Sequence, residues 1–166
     1  TVTGVDNFRT GRRANLTAAF ASPRFTFQER DVVAPGAMAG IIETAKPDAI
    51  IHLAALVSVQ ESMTDPALNF SLNVHATQLV GDAARLHKVS RIVFASSAAI
   101  YGDTTVLPVP ATTEKRPISP YGAAKLASEA LLLGHGAAFG LTVRCQRYFN
   151  VFGPRQDPAS PYSGVI

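Results

Sequence analysis

The sequence predicts an α/β fold in which helices flank a parallel β-sheet. Short strand-like runs alternate with longer segments of helical periodicity, and this alternation is typical of βαβ units. A length of 166 residues, with 47% hydrophobic and 16% charged residues, fits one ordinary globular core and excludes a disordered or coiled-coil protein. A single domain without internal repeats is therefore expected.

Five segments are predicted to be strands. The pairs Ile50-Ile51 and Ile92-Val93 lie in continuous apolar runs, which are expected in strands that are covered on both faces. The predicted strands span residues 1–6, 24–29, 48–54, 91–97 and 141–148.

One long helix is predicted from Asp65-Pro66, which supply an N-cap and a first-turn proline, to about Lys88. A set of mostly apolar residues recurs along it at three- or four-residue steps and is expected to form its buried face. These residues are Leu68, Leu72, His75, Leu79, Ala83 and Leu86.

A second long helix is expected to begin at Ser119-Pro120 and to end near Gly134 to Gly136 or at Gly140. A shorter helix is expected over residues 35–45. Residues 103–118 carry three prolines and neither period, so they are expected to form a surface loop.

Composition narrows the class of protein. The net charge of +3 comes mainly from scattered arginines, which gives little support for a nucleic-acid or anionic-membrane partner. Cys145 is the only cysteine, so an intrachain disulfide is excluded and a reducing compartment, the cytoplasm, is expected. The longest apolar stretch, residues 49–57, is about half of a membrane span.

The four histidines are expected to be structural, because none has the spacing of a metal-ligand pair. They are His52, His75, His87 and His135. No metal site is expected.

Tyr121 and Lys125 are the strongest local indication of catalytic chemistry in the sequence. They stand four residues apart on the second long predicted helix, so the phenol and the ammonium project from one face, one turn apart. A nearby ammonium favours the phenolate and lowers the pKa of the phenol towards neutrality, which would make Tyr121 a usable acid and base. The alternative is an exposed helical pair without chemistry.

Two further polar residues close predicted strands. Ser97 lies at a carboxyl end, where open α/β sheets bind ligands, and its hydroxyl can both donate to and accept from a substrate oxygen. Asp6 closes the first strand, where an acid can accept both hydroxyls of an adenosine ribose. The alternatives are a turn-forming serine and an ordinary Asp-Asn turn pair.

Seven motifs in order resemble the NAD-dependent epimerase/dehydratase family, the extended short-chain dehydrogenases/reductases that act on nucleotide-sugars. The motifs occupy residues 5–11, 30–32, 52–55, 73–77, 96–103, 121–125 and 147–157. The resemblance implies a doubly wound, Rossmann-type parallel sheet and NAD as the cofactor.

The resemblance also implies which residues contact NAD. Asp6 and Asn7 would meet the adenosine ribose, while Asn73 would steady the loop after the third strand. The other implied contacts are Thr10 and Gly11 near the phosphates, Asp31 and Val32 at the adenine, Leu53, Ala54 and Ala55 along the dinucleotide, and Ala95, Tyr121, Lys125 and Tyr148. Tyr148 and Phe149 would border the nicotinamide. Asn73 could instead be a helix-surface amide, and Tyr148 and Phe149 could belong to the core.

For the chemistry, the resemblance implies that Tyr121 and Lys125 are the proton-transfer pair, with Ser97 orienting the sugar hydroxyl and Asn150 touching the nucleotide-sugar. Ala98 and Ala99 stand where the family's dehydratases carry acidic residues, and methyl groups cannot transfer protons. A UDP-sugar 4-epimerase is therefore favoured. A dehydratase or another oxidoreductase of the family, and a non-catalytic NAD sensor or scaffold, remain alternatives.

The chain reads as an internal fragment, a partial NAD-binding domain over residues 1–166 in which residues 150–166 begin the substrate-binding region. The family's first strand and glycine-rich loop and its C-terminal substrate portion are not in the sequence. In the strand order 3-2-1-4-5-6 that missing strand is central, so residues 1–6 and 48–54 are expected not to pair. The isolated fragment is expected to bind NAD poorly and to be inactive, and homodimerisation through the two long helices is expected of the whole protein.

Overall fold

The structure, a computed structural model, describes residues 1–156 and confirms the five predicted strands within two residues at each end. Strands β1 and β2 pair in parallel as one sheet, and β3, β4 and β5 pair in parallel as another, with β4 in the centre. In the described part, β1 and β3 do not pair, as expected. The strands are β1 (Val2–Asp6), β2 (Phe25–Glu29), β3 (Ala49–His52), β4 (Arg91–Ser97) and β5 (Thr142–Tyr148).

Helices connect the strands as the alternating pattern predicts. The long helices pack against the three-stranded sheet. The 3-10 turns over Arg13–Leu16 and Ala98–Tyr101 were not predicted. The helices are α1 (Thr17–Phe20), α2 (Ala37–Ala45), α3 (Val59–Thr64), α4 (Pro66–Asn69), α5 (Ala76–Leu86) and α6 (Pro120–Phe139), with a π-helical segment over Phe70–His75 between α4 and α5. No helix among residues 1–156 is both long and apolar enough to cross a bilayer.

The core lies between the three-stranded sheet and helices α2, α5 and α6. Ile92 and Phe94 of β4 are buried against Ile42, Val80 and Leu132. The expectation that β3 is covered on both faces is wrong in the described residues, because successive side chains alternate across a strand and Ile51, opposite the core, is 68% exposed.

The predicted buried face of the long helix is confirmed at Ala83, which is 3% exposed, and is wrong at two other positions. Leu86 is 59% exposed and His75 is exposed, whereas the small residues Ala76, Gly81 and Ala84 are buried. The π-helical segment adds a residue to the helical turn, so the face that follows it is rotated away from the simple three-four pattern. Small residues then allow α6 to approach closely.

Helix α6 begins and ends where the sequence predicts. The Ser119 hydroxyl accepts a hydrogen bond from the Gly122 amide at 3.1 Å, and Pro120 occupies the first turn. Gly140 ends the helix in a left-handed conformation with φ of 76°. This helix carries both Tyr121 and Lys125.

Residues 103–118 form the expected loop, and an ion pair between the buried Glu129 and the half-buried Arg147 holds it. Arg147 donates to both carboxylate oxygens of Glu129 at 2.9 and 2.8 Å. Its remaining terminal nitrogen donates to the Tyr101 hydroxyl at 2.9 Å and to the Ala111 carbonyl at 2.8 Å. Arg147 therefore ties β5, α6 and the loop together.

Glu129→Ala is expected to lower the free energy of unfolding by about 1.5–3 kcal/mol, because the partly buried Arg147 loses two charge-assisted hydrogen bonds and keeps those to Tyr101 and Ala111. Replacing both residues by apolar ones, Glu129→Leu with Arg147→Met, should recover much of that loss. Urea unfolding of the three proteins measures this. A Glu129→Ala protein as stable as the wild type would show that the pair contributes little.

Candidate active site

The candidate site lies where the parallel strands of the larger sheet end. Ser97 closes β4 and Tyr148 closes β5, and the two residues are partners in the strand register. His52 closes β3 beside Phe94 of β4. Open parallel sheets bind ligands at this edge.

Lys125 is inserted from α6 against the end of β4. Its ammonium donates to the Ala95 carbonyl at 2.9 Å and lies 5.9 Å from the centre of the Tyr121 ring. The residue is only 4% exposed. Because the carbonyl lies two residues before Ser97, this bond places Lys125 beside the strand end.

The start of α6 also packs on the turn that follows Ser97. A Cβ atom at Gly122 would lie 2.6 Å from the Ala99 carbonyl oxygen, so only glycine permits this approach. The structure therefore brings Ser97, Tyr121 and Lys125, which are distant in sequence, to the same end of β4.

Burial is the main cause of the pKa shifts of Lys125 and His52. It lowers the pKa of Lys125 to about 8, so the side chain is still largely charged at pH 7. Burial, followed by the nearby charge of Lys125, lowers the pKa of His52 to about 4. The neutral His52 bonds to the Thr77 hydroxyl at 3.1 Å, which agrees with the structural role expected for it.

The Ser97 hydroxyl accepts a hydrogen bond from the Ala99 amide at 3.2 Å. Accepting this bond does not use the hydroxyl proton, which can still be donated to an oxygen of a ligand. Ser97 is half-buried. The bond to Ala99 fixes its side chain, and its exposed part is accessible to a ligand at the end of β4.

A second group of expected residues assembles at the end of β1. The Asp6 carboxylate accepts from the Phe8 amide at 2.6 Å, and the Asn7 amide donates to the Asp31 carboxylate at 2.8 Å. Gly11 passes close to Asp6, because a Cβ there would lie 3.2 Å from a carboxylate oxygen. Thr10 is exposed in the same loop, whereas Val32 packs against the hydrophobic core.

Asn73 holds the loop that follows β3. Its side-chain amide donates to the Leu56 carbonyl at 3.0 Å, a contact that a role in steadying this loop would need. Asn73 is 2% exposed, and the helix-surface alternative is wrong. In the loop itself Leu53 is 62% exposed, whereas Ala54 and Ala55 are half-buried.

The residues at the end of β5 and just beyond it face solvent. Tyr148 is 42% exposed and Phe149 is 60% exposed, so the alternative that they belong to the core is wrong. Asn150 is exposed just beyond β5. Residues 157–166, which include the last residue of the motif over 147–157, lie outside the described part.

The chemistry of these side chains fits the two ribose ends of a dinucleotide. The exposed Asp6 carboxylate can accept hydrogen bonds from a ribose diol. At the other end Lys125 has three donors, of which the Ala95 carbonyl takes one.

Sequence reasoning missed the ion pair beside this site. Burial alone would raise the pKa of Glu129, but hydrogen bonds from Arg147 hold that pKa below its ordinary value, so the carboxylate stays charged. The available signal was spacing, since Glu129 follows Lys125 by one turn on the same face of α6.

Comparisons with known proteins place this geometry in context. The UDP-glucose 4-epimerase of Mycolicibacterium smegmatis is 37% identical over 166 residues, which are 99% of this chain and 52% of that protein. The crystal structure of UDP-glucose 4-epimerase from Thermus thermophilus in complex with NAD matches with a TM-score of 0.88 at 34% identity, over 98% of this chain and 51% of that one. A dTDP-glucose 4,6-dehydratase double mutant from Streptomyces venezuelae with NAD bound matches with a TM-score of 0.90 at 31% identity, over 98% of this chain and 50% of that one.

The structural matches confirm the Rossmann-type fold class. The chain spans about half the length of the curated relatives it matches. A model of the NAD dependent epimerase/dehydratase family matches residues 1–166, and this chain therefore belongs to that family.

Proposed function

We propose that the full-length protein is a nucleotide-sugar 4-epimerase that acts on a UDP-hexose with NAD as its cofactor. The observation that supports this most is the meeting of Ser97, Tyr121 and Lys125 at the end of β4, because a site that only binds a dinucleotide needs no proton-transfer pair. The similarity to UDP-glucose 4-epimerases supports the same reaction.

Tyr121 is the general acid and base in this proposal. Its phenolate takes the proton of the sugar 4-hydroxyl. The phenol returns the proton after the 4-keto sugar has rotated to present its other face. The buried ammonium of Lys125 favours the phenolate by its charge, and Ser97 orients the sugar oxygen by donating its hydroxyl proton.

The family's cofactor completes the redox half of the reaction. Bound NAD would supply the chemistry of reversible hydride transfer at C4 of the sugar. Asp6 and Asn7 would hold the adenosine ribose, Thr10 and Gly11 would lie near the phosphates, and Lys125 would hold the nicotinamide ribose. The remaining proposed cofactor contacts are Asp31, Val32, Leu53, Ala54, Ala55, Asn73, Ala95, Tyr121 and Tyr148.

A 4,6-dehydratase is the second candidate, and the similarity to the Streptomyces venezuelae enzyme favours it. Water elimination needs an added acid and base. The two residues after Ser97 are Ala98 and Ala99, which form the start of a 3-10 turn and carry only methyl groups. We therefore place epimerisation first.

The remaining proposals concern the whole protein. Asn150, and residues 150–166 generally, would begin the substrate-binding region. We further propose a cytoplasmic homodimer that pairs through its long helices and binds no nucleic acid.

Tyr121→Phe in the full-length protein is expected to abolish conversion of UDP-glucose or UDP-N-acetylglucosamine to its 4-epimer, because phenylalanine cannot carry the proton. Product analysis by NMR measures the conversion. NAD binding, followed by fluorescence titration, should be kept. A variant that still epimerises would rule out Tyr121 as the base.

The same assay separates the candidate functions. Wild-type epimer without net NADH supports the 4-epimerase. A stable 4-keto-6-deoxy product would instead identify a dehydratase, and NAD binding without turnover would identify a sensor or scaffold.

Lys125→Met is expected to stabilise the fold while removing activity. Because burial lowers the pKa of Lys125 from 10.5 to about 8, the folded state disfavours the charged form, and below pH 8 it carries the full penalty. At pH 7 the methionine variant should be more stable by up to roughly 3 kcal/mol.

The sign of the pH dependence provides the check. Between pH 8 and 10.5 the unfolded chain holds a proton on Lys125 that the folded chain has released, so wild-type stability rises with pH relative to the variant. Urea unfolding at a series of pH values measures the difference. Parallel stability curves for the two proteins would contradict burial of the charge.

A further inference from the structure

The peptide group between Pro120 and Tyr121 is hydrogen-bonded on both of its polar atoms by side chains from other helices. The Ser62 hydroxyl accepts from the Tyr121 amide at 3.1 Å. The Asn69 side-chain amide donates to the Pro120 carbonyl at 3.1 Å. Ser62 is fully buried and Asn69 is 3% exposed, so water does not compete for either bond.

The amide of Tyr121 belongs to the first turn of α6, where N–H groups have no acceptor within the helix. Ser119 accepts from the Gly122 amide, not from that of Tyr121. Ser62 donates its own proton to the Val59 carbonyl at 2.6 Å, which directs an oxygen lone pair towards the Tyr121 amide. In the bond between Ser62 and Tyr121, the amide is therefore the donor and the hydroxyl oxygen is the acceptor.

Asn69 connects the same peptide group to the loop after β3. Its side-chain oxygen accepts from the Asn73 amide at 2.8 Å, and Asn73 also donates to the Leu56 carbonyl. A shift of Pro120 would therefore be opposed by the residues that hold this loop.

We propose that Ser62 and Asn69 are positioning residues that fix the Tyr121 phenol relative to Ser97 and Lys125. This inference rests on the proposed role of Tyr121 in proton transfer. Fixing the plane of the preceding peptide fixes the Cα atom from which the phenol extends. A displacement of about 1 Å at a reacting group can cost about 100-fold in rate.

Ser62→Ala in the full-length protein tests the proposal. The kcat for epimerisation should fall by about 10- to 100-fold with little change in KM, because the ground-state contacts of the substrate are kept. The pH midpoint of kcat/KM should move upward, since a displaced phenol is less favoured as phenolate by the ammonium of Lys125.

Ser128→Ala is the matched control. Ser128 is also a fully buried serine, but its hydroxyl donates to the carbonyls of Ala124 at 2.8 Å and of Asn73 at 3.2 Å. This variant should lose comparable stability in thermal unfolding and keep the wild-type kcat and pH midpoint. If the two variants have the same kcat and pH midpoint, the proposal is overturned.

A readout without catalysis separates this inference from the proposed function. The ionisation of Tyr121 is measured by ultraviolet difference titration against Tyr121→Phe, and the exchange of its amide is measured by NMR. In Ser62→Ala the ionisation midpoint should rise and amide exchange should quicken, and in Ser128→Ala neither should change. An inactive wild type would sink the proposed function, whereas unchanged ionisation in Ser62→Ala would sink the positioning role.

Should Ser62→Ala fail to fold, Asn69→Ala releases the carbonyl side of the same peptide group and is measured in the same way. The same rise in the ionisation midpoint of Tyr121 is expected. An unchanged midpoint in a folded Asn69→Ala protein would also overturn the proposal.

Discussion

The candidate site depends on an ammonium group held inside the protein. Lys125 reaches from α6 to the Ala95 carbonyl and is almost fully buried, so its charge is poorly solvated and its pKa is lowered. An isolated buried charge is costly, and proteins keep such groups where they have a partner or a function. The short bond to β4 fixes the distance between α6 and the strand end, and with it the site.

Small residues and buried polar residues form the helix contacts around that bond. Gly81 of α5 allows His135 and Leu132 of α6 to approach closely, and Gly122 of α6 allows the same for the Ala99 carbonyl after β4. Polar residues such as Asn69, Asn73 and Thr77 are buried with them, and their side chains bond to one another or to backbone carbonyls. Close approach and a connected polar interior are thus two results of the same constraint.

Local features of the sequence predict most of the strands and helices and part of the candidate site. The strands follow from apolar runs, α6 follows from Ser119-Pro120 and Gly140, and the spacing of Tyr121 and Lys125 places them on one helix face. The buried face of α5 could be predicted only in part, because the π-helical segment changes the rotation of the helix and the spacing of the apolar residues does not reveal it. Contacts between distant residues were also beyond reach: Ser62 and Tyr121 are 59 residues apart, and Asn69 and Pro120 are 51 apart.

The central claim is that Ser97, Tyr121 and Lys125 act together around one dinucleotide. The most direct measurement is a crystal structure of the full-length protein with NAD and a UDP-sugar bound. We expect the Tyr121 hydroxyl and the Ser97 hydroxyl within hydrogen-bonding distance of the sugar 4-hydroxyl, and the Lys125 ammonium bonded to the nicotinamide ribose. A complex in which the sugar lies away from these three side chains would contradict the account.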